Sequence, residues 1–101
     1  MKSAKSILVN LPAEKNFVVN FTNNEIFVLK NFTPVDKSIY DKEDLVTAVV
    51  VEVMNSNKIN FWRKCIDSMV QFSEFDVKRI YDADTSCVLF ELENLNLPRH
   101  P

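Results

Sequence analysis

Hydrophobic positions alternate with polar ones towards both ends of the chain and follow a longer period between them. In 16–21 (NFVVNF), Phe17, Val19 and Phe21 fall on one side at period two, which predicts a strand. Segment 25–33 (EIFVLKNFT) predicts another, ended by Pro34 because proline cannot donate to a ladder. Between them, Asn23 and Asn24 tolerate the left-handed backbone that a tight turn needs, so 16–33 is expected to be a hairpin. Residues 5–11 (KSILVNL) read as a further strand. Residues 75–93 predict a second hairpin, FDVKRIYD and SCVLFELE, joined by Ala83, Asp84 and Thr85.

The middle of the chain carries a different spacing. In 45–54 (LVTAVVVEVM), the density of β-branched residues suits a buried strand. Leu45, Val46, Val49, Val50, Val53 and Met54 also recur at i, i+1, i+4 and i+5, one face of a helix, and helix is the reading taken. Segment 57–72 reads as a helix with Ile59, Trp62, Cys65, Ile66, Met69, Val70 and Phe72 on one apolar arc. Asn57 would cap it, and Arg63 and Asp67 would pair at i, i+4. The expected fold is α+β: an antiparallel sheet from N-terminal and C-terminal hairpins, with one or two central helices packed on it. A single domain would span 1–94, and 95–101 (LNLPRHP) would be an irregular tail.

Composition narrows the function. With 101 residues, 47% hydrophobic and 26% charged, the chain suits one packed core rather than disorder. The net charge is −2, and the longest basic runs are the doublets Arg63-Lys64 and Lys78-Arg79, which disfavours nucleic acid as a partner. The apolar run ILVNL is too short for a signal-peptide core and no stretch has transmembrane length, so a cytoplasmic protein without a membrane partner is expected. Cys65 and Cys87 are expected to be reduced and buried, with no disulfide. Glycine is wholly absent. Dinucleotide turns, phosphate loops and nucleophile elbows use glycine for positive φ and close approach, so none is present in its usual form.

Catalytic and metal chemistry lack residues. Zinc sites need about four clustered Cys or His ligands, whereas the two cysteines lie 22 positions apart and the one histidine is His100. A histidine between prolines near a terminus is a poor general base, and nothing singles out one carboxylate pair. The expectation is a non-enzyme with no metal and no cofactor.

Two acidic zones remain. In 35–44 (VDKSIYDKED), Asp41 followed by Asp44 suits a helix start, where acids complement the dipole. That leaves Asp36 and Tyr40 without a structural role. Residues 72–93 carry six acids against Lys78 and Arg79, and Tyr81-Asp82 repeats Tyr40-Asp41. Tyrosine is enriched at protein interfaces. The candidate partner-binding residues are therefore Asp36, Tyr40, Asp41, Glu43, Asp44, Tyr81, Asp82 and Asp84.

A small, acidic, motif-free α+β chain with Tyr-Asp pairs resembles the immunity proteins of bacterial toxin systems, those of contact-dependent growth inhibition most of all. The resemblance implies a cytosolic protein that binds a cognate toxin domain and blocks its active site. A nuclease with a cationic cleft would suit carboxylates that steer the encounter. The alternative is a small accessory or self-associating structural domain without catalytic activity.

Overall fold

A computed structural model describes residues 3–35 and 44–92. Ser3 opens the first element: its Oγ accepts from the Ser6 N–H at 3.1 Å, and helix α1 runs Ala4–Leu8. Ala4 and Leu8, four apart, both point into the core. The strand expected at 5–11 is thus replaced by one capped helical turn and a bend.

The first hairpin forms as expected, with β1 at Phe17–Phe21 and β2 at Ile26–Pro34. Phe21 N donates to Glu25 O at 2.8 Å and Asn24 N to Phe21 O at 2.9 Å, and Asn24 has φ 72°. This is a three-residue loop ending in a left-handed residue, with asparagine where glycine is usual.

The helix expected at 45–54 is instead the longest strand, β3 at Leu45–Asn55. Val46, Ala48 and Val50 point inward at period two. The register then shifts, with Leu29 opposite Val50 and Val28 opposite Glu52, so Val51 is extra and Val53 becomes the next inward residue. A bulge therefore sets Val50 and Val53 three apart, a helical interval inside a strand. β2 repeats the device, since Leu29 and Phe32 both reach the core around Asn31, whose φ is 57°.

The helix expected over 57–72 also breaks. Only α2, Ile59–Arg63, is helical. Its cap position is Lys58, not Asn57, and no side chain caps it. Asp67 has φ 72°, which ends any helical spacing to Arg63. Strand β4 follows at Met69–Ser73, then one 3₁₀ turn at Glu74–Asp76. The second hairpin holds, with β5 at Val77–Asp82 and β6 at Val88–Glu91. The tail expected at 95–101 lies outside the described residues.

The strands form one antiparallel sheet in the order β4-β3-β2-β1-β5-β6. This corrects the expected α+β architecture. Among the described residues the sheet dominates, and the two α-helices, of five residues each, are too short to make a covering layer. β-branched density decided 45–55, because those side chains pack well on a pleated surface.

The sheet is curled. In a flat sheet β4 and β5 would stand four strand spacings apart, roughly 19 Å. Yet only Glu74–Asp76 separates them in the chain. A 3₁₀ turn of that length rises about 6 Å, so the sheet must bend until the two strands approach. Thr22 N donates to Asp76 O at 2.8 Å, and Glu74 N to Asp44 O at 2.8 Å, tying the turn to β1 on one side and to the start of β3 on the other. The concave face holds one apolar core that includes Phe17, Val19, Leu29, Val50, Val77 and Ile80, with α1 packed against it through Ala4 and Leu8.

Candidate functional site

Four of the expected partner-binding residues, Asp36, Tyr40, Asp41 and Glu43, lie outside the described residues. The other four have structural duties. Asp44 sits just before β3, not at a helix start, and its carboxylate accepts from Ser73 Oγ at the end of β4. Tyr81 is half-buried on the convex face of β5, between Val18 of β1 and Val88 of β6. Asp82 organises the β5–β6 turn. Its Oδ1 accepts from Asp84 N at 2.7 Å and Thr85 N at 3.2 Å, and its Oδ2 lies 3.2 Å from Lys15 Nζ.

Those contacts hold the Asp82 carboxyl below its ordinary value. The Asp84 N–H is the largest cause, and partial burial works against it. Asp84 lies 3.5 Å from the same lysine. Lys15 is in turn raised, chiefly by its hydrogen bond to Asp82. The acidic hairpin tip thus carries its own counter-charge. Elsewhere in 72–93, Glu91 pairs with Arg79 at 2.7 Å, and Glu74 accepts from Lys5 N at 3.0 Å. Tyr81, Asp82 and Asp84 share one hairpin. Asp44 does not join them, since it closes β3 to β4. Both cysteines are free, but Cys87 is exposed and Cys65 half-buried, so the expectation that both pack inside fails.

The feature that sequence reasoning missed lies where the curled sheet stays open, between β1 and β4. A cleft of about 140 Å³ opens there, with Phe21, Phe27, Phe72 and Trp62 as walls and Leu29 and Val70 completing its apolar lining. The rings meet nearly at right angles. Phe21 and Phe27 are 5.8 Å apart at 90°, Phe21 and Phe72 5.2 Å at 81°, and Phe27 and Trp62 5.1 Å at 84°. These are edge-to-face contacts, each adding to area burial.

The polar residues at the cleft are Glu25 and Gln71. The hairpin loop holds Glu25 in place: Oε1 accepts from Asn23 Nδ2 at 3.0 Å, and Oε2 accepts from Ser56 Oγ. Ser56 Oγ in turn accepts from Lys58 N at 3.0 Å, at the start of α2. One chain of hydrogen bonds therefore joins the carboxylate to the helix that carries Trp62. Among the described residues, no Lys or Arg nitrogen pairs with Glu25.

The surroundings of the cleft are unusually apolar. Phe61, stacked edge-on to Trp62, is 57% exposed, and Met69, on the opposite face of β4 from Val70, is 68% exposed. Met54 and Ile66 are exposed on the same β3–α2–β4 excursion. A signal was present in the sequence, since the tryptophan and two phenylalanines of 57–72 form an aromatic set, but assigning them to one long helix hid their convergence with β1 and β2.

Among the described residues, no group of three or more His, Cys, Asp or Glu could hold a metal ion, and no helix is long and apolar enough to cross a membrane. Compared with known proteins, the chain matches no family model, no curated sequence and no solved structure.

Proposed function

We propose that this chain is a non-catalytic binding protein that engages a protein partner through the cleft between β1 and β4 and its surroundings. The carrying observation is the exposure of Phe61, packed edge-on to Trp62, next to an aromatic-walled cleft. Large apolar side chains left open beside a concave site are the usual composition of a protein-binding surface. In its most specific form the reading is an immunity protein. The partner is then a cognate toxin domain, a nuclease being the best electrostatic match, and binding blocks the toxin's active site in the cytoplasm. The acids of the β5–β6 hairpin contribute to steering rather than anchoring in this reading, because Lys15 already offsets them.

The test is co-purification with the product of the adjacent gene, combined with growth protection when the two are expressed together. Complex formation that is lost in Phe61→Lys, with circular dichroism unchanged, supports the reading. Absence of both complex and protection removes the immunity form.

The accessory-domain reading keeps one observation of its own. β6 is an edge strand in the described sheet; Val88 and Leu89 are exposed along it, and Leu92 just beyond its end. Such edges template pairing with a second copy. Sedimentation equilibrium decides: a dimer abolished by Leu89→Lys favours self-association, and a monomer at all concentrations discards it.

A further inference from the structure

The geometry points to a specific occupant for the cleft: the guanidinium of one arginine side chain presented by the protein partner. This rests on the protein-binding reading and adds the chemistry of the anchor.

Two observations carry it. Four aromatic rings, Phe21, Phe27, Phe72 and Trp62, wall one space, and adjacent rings stand 81–90° apart. Aromatic rings attract cations through their quadrupole, tryptophan most strongly, and arginine is the cation most often found there. Next, a carboxylate lies at the same cleft. Glu25 is fixed by Asn23 and Ser56 and has no cationic partner among the described residues. Gln71 adds no further polar group, since it alternates with Val70 and Phe72 and stands opposite Thr47 on the other face of the sheet.

These observations choose between occupants. A purely apolar anchor, leucine or phenylalanine, would fill the apolar part of the cleft. It would also strip water from Glu25 and offer nothing in exchange, which is the costly way to cover a charge. A lysine ammonium could pair with Glu25 but is a compact, strongly hydrated point charge. A guanidinium is planar and weakly hydrated. It stacks on rings and directs several N–H donors at a carboxylate at once. Of the side chains, it matches both the walls and the acid.

The experiment uses the intact protein and two small probes, N-butylguanidinium and its neutral isostere N-butylurea. Trp62 is the only tryptophan, so its fluorescence and its indole N–H signal in NMR report on the cleft alone. The expected result is a saturable response to N-butylguanidinium and binding of N-butylurea weaker by about tenfold. Shifted NMR signals should include Trp62 and Glu25, while Val19 and Ile80 in the core stay put. Glu25→Gln should shrink the difference between the probes. The wild-type comparison stands even if that variant folds poorly. N-butylurea binding as well as the cation, or no saturable response to the cation, overturns the assignment. A protein whose cleft prefers the cation but which ignores the adjacent gene's product would instead count against the immunity reading, leaving the cleft assignment intact.

Discussion

The ring of Phe21 in β1 meets the ring of Phe72 in β4 edge-on, 5.2 Å between centroids, although β2 and β3 lie between those strands in the sheet. The contact spans the mouth of the curl and holds it at its present width. Phe72→Ala is expected to cost about 2–3 kcal/mol, below the figure for a fully enclosed phenylalanine because the ring is half-buried. In a double-mutant cycle with Phe21→Ala, the coupling should be about 0.5–1.5 kcal/mol. Urea denaturation of the four proteins measures it. Strict additivity would mean that the rings touch without holding the sheet together.

Acid should weaken the protein partly through Asp82. Its carboxyl titrates below the ordinary 3.8, held there first by the Asp84 N–H and then by Lys15 and Thr85. The charged form is thus favoured by folding. That stabilisation is complete above the ordinary carboxylate value and disappears as pH falls through the lower folded value. Glu14 behaves alike, its carboxyl lowered first by Asn31 and then by Lys30. Lys15, raised above 10.5 by Asp82, acts at the other limit: its contribution is present below that value and is lost as pH rises through the folded one. Asp82→Asn should therefore flatten the stability profile at both extremes. An unchanged profile in acid would show that the turn does not need the charge.

Among the described residues, backbone with positive φ is built without glycine, at Glu14, Asn24, Asn31, Asp67 and Ser86. Asn24→Val should lose about 1–2 kcal/mol, because a β-branched residue resists positive φ. Asn24→Gly should be close to neutral. Asn31 differs, since its side chain accepts from Glu14 N at 2.7 Å and donates to Glu14 Oε2 at 2.8 Å. Asn31→Gly keeps the backbone and removes both bonds, so it should be the more damaging glycine substitution. Thermal melts of the three variants give the order, and equal effects of the two glycines would contradict it.

The thiols should separate by access. Denatured, non-reduced protein should titrate with two free thiols. In the native state Cys87, exposed next to β6, should react with a disulfide reagent well before Cys65, which is half-buried with its Sγ 3.7 Å from Phe61 O. Equal native rates would mean that the α2 region opens freely.

Both hairpins were legible in the sequence because their signals are local. Phe17, Val19 and Phe21 alternate, and Asn23-Asn24 can only turn. The central strand was misread for a definable reason. Bulges at Val51 and Asn31 convert inward spacing from two to three residues, so Val50 and Val53, like Leu29 and Phe32, imitate a helix. Around 57–72, apolar residues of α2 and of β4 are adjacent in the chain and fuse into one apparent arc, which left-handed Asp67 interrupts. Glu25 and Trp62 are 37 positions apart, and only the curl of the sheet brings them to one cleft. The acids were conspicuous by composition, but their pairing with Lys15 and Arg79 is a tertiary fact.

Strand β1 has two neighbours made at very different times. β2 follows it at once, but β5, where Asp82 stands opposite Phe17, comes 65 positions later. At ordinary translation speeds that interval is roughly 3–13 s. Throughout it, a nascent chain holds one side of Phe17–Phe21 as a bare, apolar edge, open to the same side of another nascent chain on the polysome. Synthesis halted before β5 should therefore yield fragments that clump rather than fold, and the full-length protein should depend on a ribosome-associated chaperone most during that window.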